Sequence, residues 1–277
     1  MQIEPFFQVP QHTHATSAGE VKLPLLFKEA DAVLALFLCD LDLVRQQLEG
    51  TGLEPALVLG RQAIVGLAIY DFMHCNIGAY RTVPLAIPVW RDQGFRPVSA
   101  WRELFLRADK RHMGFYMISA ATSTNSSCTA GRELWGFPKH LVQIDYSLQG
   151  TRLACRVSNG DSSILEFSGS GFPLSWLAQL DMTLFSIKQD LLLRTLLNTR
   201  GRFRVHFPLG YQLRLGSADH PVSRPMRALG LHGKRPLVLI TCTDYQGRMQ
   251  EGVAVEQLHR PPALRPSPNP SPSRLMA

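Results

Sequence analysis

Gly131-Arg132-Glu133-Leu134-Trp135-Gly136-Phe137-Pro138-Lys139-His140 is the stretch on which the reading of this chain turns. It sets a lysine directly after an aromatic-proline pair. Pro138 fixes the backbone just before Lys139, and Phe137 and Trp135 offer it apolar walls. An exposed lysine, with a pKa of about 10.4, is almost wholly protonated near neutrality and does not attack a carbonyl. Burial in apolar surroundings disfavours the ammonium, and a nearby second cation disfavours it further, leaving a neutral, nucleophilic amine. A lone lysine beside a proline is also what a surface side chain at a strand entry looks like. Arg132 and Glu133, read as neighbours on a strand, are expected to form a buried structural ion pair rather than to do chemistry.

Working outward, residues 140–148, 152–157 and 163–167 read as three short strands joined by Gln149-Gly150 and Asn159-Gly160, the latter a strong hairpin signal. Upstream, residues 32–38 form a continuous apolar run. Asp40 follows as a helix cap, with Leu41, Val44 and Leu48 on one helical face. Residues 56–59 and 63–72 read as strands around a turn at Gly60, and 114–121 as another. Residues 80–90 carry Pro84 and Pro88, which predicts a bulged or edge strand. Residues 175–198 read as one long amphipathic helix: Trp176, Leu180, Leu184, Ile187 and Leu191 recur at helical steps, with Gly201 as its cap. Residues 203–207, 236–243 and 252–257 complete the strands. The chain is therefore expected to be mainly β (α+β), an antiparallel barrel or sandwich with one long and a few short peripheral helices.

The chain has 277 residues, 45% of them hydrophobic and 18% charged, which fits a soluble globular protein. Residues 1–20 read as an irregular N-terminal segment and 21–259 as a single domain. Residues 260–277, with six prolines in eighteen residues, read as a disordered tail. Five cysteines, widely spaced and without a Cys-x-x-Cys pair, point to reduced thiols, and no basic-apolar leader opens the chain. A cytoplasmic protein is expected, without a membrane span. The net charge of +7 gathers at 194–235, where nine Arg and Lys face the single acid Asp219. That strip is either a solvated face or a dock for an acidic carrier protein. No nucleic-acid motif accompanies it, and neither a metal motif nor a cofactor loop is present.

Taken whole, the run from Gly131 to Lys139 resembles the signature of the acetoacetate decarboxylase-like superfamily. Asp40-x-Asp42 and the Gly78-x-Tyr80…Ala86-Ile87-Pro88-Val89 strand follow in the family's order. The resemblance implies an antiparallel β-barrel enclosing the lysine, in homo-oligomers, and a Schiff base between Lys139 and a ketone carbonyl. Activation of that lysine by desolvation or a cationic neighbour is established for the family. Departures from the pattern also matter. The second lysine of the decarboxylases is here His140, and their catalytic glutamate falls at Thr82. Their N-terminal arginine falls near Ala30, with Lys28 the nearest basic residue, and an acidic stretch is replaced by residues 122–127. The resemblance thus implies a lyase-type enzyme acting on a small keto acid by decarboxylation, or by aldol, dehydration or cyclisation chemistry. Lys139 and His140 are its candidate catalytic residues, with Phe137, Trp135, Thr82 and Tyr80 around the substrate. The competing expectation is a non-catalytic barrel that binds a hydrophobic carbonyl ligand or a carrier protein in a biosynthetic pathway.

Overall fold

A computed structural model describes residues 5–91, 99–103, 106, 108–177 and 180–258. In chain order the elements are β1 (His12–Thr16), β2 (Gly19–Leu23), β3 (Leu25–Asp40), α1 (Leu41–Gln46), β4 (Leu53–Pro55), β5 (Val58–Leu59), β6 (Gln62–Cys75) and β7 (Tyr80–Arg91). Next come α2 (Ala100–Glu103), β8 (Gly114–Thr122), α3 (Asn125–Trp135), β9 (Lys139–Leu141), β10 (Gln143–Gln149), β11 (Arg152–Asn159) and β12 (Ser162–Gly169). The chain closes with β13 (Phe172–Leu177), β14 (Met182–Lys188), β15 (Leu191–Arg200), β16 (Phe203–Phe207), β17 (Gln212–Leu215), α4 (Arg224–Ala228), β18 (Val238–Met249) and β19 (Val253–Gln257).

Strands β18, β3, β6, β7, β8, β14 and β15 pair in that order, and β15 returns to β18 from Leu197↔Met249 to Arg200↔Gln246. The result is a closed seven-stranded barrel, antiparallel except where β14 meets β8. A separate sheet, β10-β11-β12-β17, covers its outside. The long strands are buried on both faces, which is why they read as continuous apolar runs. On β3, Val33, Ala35 and Phe37 pack outward with Val157, Phe167 and Leu213 of the covering sheet. Leu34 and Leu36 point the other way, into the barrel. On β6 and β7 the inward positions include Gly66, Ala68, Thr82 and Ala86, small residues that leave the interior open.

Several expectations are borne out. Asp40 caps α1 by accepting from Asp42 and Leu43 N–H, and β5 turns through Gly60 into β6. The meander after Lys139 forms with turns at Gly150 and Gly160. Strand β7 carries a register shift at Leu85/Ala86 but is not an edge: β6 and β8 flank it.

Three expectations are overturned. Residues 12–23 form a hairpin, β1–β2, where an irregular segment was expected. The long helix over 175–198 does not exist. Strands β13, β14 and β15 occupy that stretch, β14 and β15 meeting at Gln189 and Asp190, both with positive φ (49° and 62°). A leucine-rich stretch satisfies helical and extended periods alike, and barrel closure through β15 decides for the strand. Gly201 sits instead against Cys242 at the turn into β16. Thirdly, among the described residues the longest helix is α3, and it contains Arg132 and Glu133. Both are exposed, and no ion pair joins them: Arg132 Nε donates to Lys139 O (2.7 Å), and Glu133 accepts from Ser17 N–H (2.9 Å). The proline-rich stretch 260–277 lies outside the described residues.

Candidate active site

The signature stretch is the end of a helix folded back on itself. Thr124 caps α3 by accepting from Ser127 N–H. Gly136 ends it in the left-handed conformation (φ 68°), a position that favours glycine. Phe137 N–H reaches back to Gly131 O (2.9 Å) and Gly136 N–H to Arg132 O (3.0 Å). The chain then enters β9, parallel to β8, with Lys139 opposite Ala120. This reversal lays the Lys139 stem along α3. A Cβ at Gly131 would stand 2.5 Å from Lys139 Cδ and 2.8 Å from Cε, so only a glycine leaves room for the stem.

One helical turn before Gly131, Ser127 receives the amine. Lys139 Nζ donates to Ser127 Oγ (2.8 Å) and to Ser127 O (3.3 Å). Thr122 Oγ1 donates to the same hydroxyl (3.0 Å), and the Tyr80 hydroxyl shares a hydrogen bond with it. Nζ also lies 5.3 Å from the centre of the Tyr80 ring. Lys139 is 7% exposed. Burial pulls its pKa from the ordinary 10.5 down to about 8, against a smaller upward pull from Cys128 and Cys75. No second cation is among the causes, so desolvation alone frees this amine. At pH 7 that raises the neutral fraction roughly 300-fold over an exposed lysine. Labelling of Lys139 by a small amine reagent is therefore expected to be half-maximal near pH 8 and flat above it; a midpoint at 10 or higher would contradict the burial argument.

The amine opens into a cavity of about 220 Å³ inside the barrel. Tyr80, Thr82 and Phe137 line it, as do Tyr70 and Tyr245. Thr82 Oγ1 is engaged with Ala121 O (2.7 Å), so a neutral, occupied hydroxyl stands at the position where the resemblance implied a glutamate. Trp135 is not at the wall. It is buried behind Phe137, rings 5.9 Å apart, with its indole N–H on Gln250 O. His140 is not in the cavity either. Neighbours on a strand face opposite ways, and its half-buried ring meets that of His220 instead (5.9 Å). Burial, then Arg132 and His220, hold its pKa below the ordinary 6.5, so it is neutral near pH 7 and supplies no charge to depress Lys139. The candidate set therefore comes together at Lys139, Tyr80, Thr82 and Phe137, and leaves out His140 and Trp135.

Ser127, Tyr70 and Tyr245 were not anticipated. Ser127 stands four residues before Gly131, on the same helical face, a signal available once 125–135 is read as helix. Glu103 lies outside the cavity lining and accepts from His112 and Met113 N–H. The basic strip is dispersed into local partnerships: Arg202 with Asp244, Arg224 with Asp219, and Arg204 over Trp176. All five cysteines are free thiols. Among the described residues no helix is long and apolar enough to cross a membrane.

Fold and site together define a closed, largely antiparallel barrel with, among the described residues, one desolvated lysine facing an apolar chamber. The chain belongs to the acetoacetate decarboxylase (ADC) family, whose model matches residues 8–186. It resembles the solved acetoacetate decarboxylase of Legionella pneumophila subsp. pneumophila str. Philadelphia 1 at 17% identity, over 91% of this chain and 93% of that one, with a TM-score of 0.63. The enduracididine biosynthesis enzyme MppR complexed with pyruvate is 12% identical over 84% of this chain and 91% of its own (TM-score 0.57). An acetoacetate decarboxylase-like enzyme from Sphingomonas wittichii RW1 is 14% identical over 86% and 95% (TM-score 0.56). Identities this low establish the shared fold alone. No curated protein matches the chain.

Proposed function

We propose that the protein is a Schiff-base-forming enzyme of the lyase type, with Lys139 as its nucleophile. The observation that carries this reading is the Lys139 amine, buried in the barrel and held by Ser127 at 2.8 Å. The neutral amine adds to a carbonyl carbon, and a proton passes from the nitrogen to the former carbonyl oxygen to give a carbinolamine. A second proton, taken from solvent, lets nitrogen expel that hydroxyl as water, leaving an iminium. The iminium draws electrons from the adjacent bond, so that a β-carboxylate leaves as carbon dioxide or an α-proton is lost ahead of aldol, dehydration or cyclisation steps. With Thr82 neutral and His140 outside the cavity, the latter group has more support than decarboxylation of acetoacetate.

Borohydride added to the protein with a panel of ketones, aldehydes and keto acids is expected to reduce the iminium to a stable secondary amine, read by mass spectrometry on Lys139. A complete lack of adduct across the panel would overturn the proposal. A second reading, a barrel that binds a carbonyl ligand without turning it over, is favoured by one feature: among the described lining residues none is a carboxylate or an imidazole. Adduct formation without release of altered product would select it. A cytoplasmic homo-oligomer working in a biosynthetic pathway fits the free thiols and the exposed Phe172, Leu174 and Trp176 of β13. An acidic carrier as partner has less support, because much of the basic strip is engaged within the chain.

A further inference from the structure

We infer that the compound taken up by Lys139 is an uncharged, largely apolar ketone or aldehyde bearing a second, hydrogen-bonding oxygen, and not a small keto acid. This deepens the Schiff-base reading and rests on it.

Size is the first argument. A cavity of about 220 Å³ is half as large again as the ~150 Å³ void that holds a benzene molecule, which scales to roughly nine non-hydrogen atoms. Pyruvate, with six non-hydrogen atoms, and acetoacetate, with seven, would leave about a third and a fifth of that space unfilled.

Charge is the second. Lys139 is the sole ionisable cation among the described residues of the cavity wall, and the remaining polar groups there are the hydroxyls of Thr82, Tyr70, Tyr80 and Tyr245. The amine must be neutral when it attacks. A carboxylate entering at that moment loses its water and meets no positive charge, whereas a protonated Lys139 that paired with it would be unreactive. An unpaired buried charge is strongly disfavoured, while an uncharged chain gains by leaving water for such walls.

The third argument is a hydroxyl with nothing to bond. Tyr245 is 1% exposed, and its buried oxygen has no hydrogen-bond partner. Buried polar groups are rarely left so, an exception calls for an explanation, and a bound ligand oxygen at this cavity wall supplies one. Two residues along β18, Gly247 keeps space for it: a Cβ there would stand 3.0 Å from the Tyr245 hydroxyl. An aromatic path leads from the amine to this oxygen, with Tyr80 and Phe72 rings 4.8 Å apart and Phe72 and Tyr245 rings 6.3 Å apart. A ligand lying along it sets its carbonyl at Lys139 and its second oxygen at Tyr245.

The test is borohydride trapping on the full-length protein with four probes: methyl hexyl ketone, its ω-hydroxylated analogue, acetoacetate and pyruvate. The hydroxylated ketone is expected to half-saturate adduct formation at about a tenth of the concentration that its plain analogue needs, a typical value of one hydrogen bond to a buried partner. Both ketones are expected to be trapped at lower concentration than either keto acid. Tyr245→Phe is expected to erase the preference between the two ketones, a ratio measured within one protein and therefore independent of how much of it is folded. Tighter trapping of acetoacetate or pyruvate would overturn the substrate class while leaving the Schiff base intact. An unchanged preference in the variant would overturn the role of Tyr245, and no adduct from any probe would remove the Schiff-base reading itself.

Discussion

Lys139→Met is expected to lower adduct formation by at least about a thousandfold, since among the described residues no other amine lines the cavity and removing a covalent nucleophile leaves only background reaction. The same change is expected to stabilise the protein near neutrality. Because the folded pKa is depressed to about 8 from the ordinary 10.5, both folded and unfolded chains hold the proton below pH 8, and the folded one bears the full cost of a buried ammonium. Between those two values the unfolded chain binds more protons than the folded one, so stability climbs with pH until the cost is gone. The gap corresponds to about 3 kcal/mol. Methionine fills nearly the same space without the charge, so denaturant unfolding near pH 7 should show the variant more stable by up to that amount. Part of the gain is given back because Ser127 loses a partner. The parent should close the difference as pH rises through 8 to 10.5. Undiminished adduct in the variant would assign the nucleophile elsewhere, and a flat stability difference across that range would mean that Lys139 is not desolvated.

The second large effect is expected from Gly131→Ala. Alanine is the better helix former by about 1 kcal/mol, and in the middle of α3 the backbone accepts it. The new methyl, however, would stand 2.5 Å from Lys139 Cδ, 2.8 Å from Cε and 3.3 Å from Cγ, distances at which the stem has to move. A displacement on the order of 1 Å at a reacting group costs roughly a hundredfold in rate. Trapping is therefore expected to slow by about that factor, while overpacking lowers stability by about 1–3 kcal/mol. A variant that traps at the parent rate would show that the stem has another path to Ser127.

These two residues also mark what was legible in the sequence. The barrel could be read because hairpin chemistry is local: Asn159-Gly160 and the flanking alternation identify their strands without help from the rest of the chain. The buried lysine could be read because its signature is contiguous. The helix at 175–198 was misread because leucines at three- and four-residue steps also fit strands buried on both faces, and what settles β15 is its pairing with β18, some fifty residues away. The two-face rule for strands does not hold for Arg132 and Glu133, which lie on a helix. It holds for Lys139 and His140 on β9 and sends the imidazole out of the cavity. Tyr70 and Tyr245 could not be recognised beforehand, because β6 and β18 bring them to one chamber from distant parts of the chain.

The apolar chamber also bears on timing. On the proposed Schiff-base chemistry, each condensation at Lys139 sets free one molecule of water, and hydrolysis of the final adduct needs one back. With walls this poor in groups to retain it, the expelled molecule would leave for bulk, and the return step would wait for one to re-enter. Product discharge would then set the pace of the cycle, with the protein resting between turnovers in its covalently loaded form.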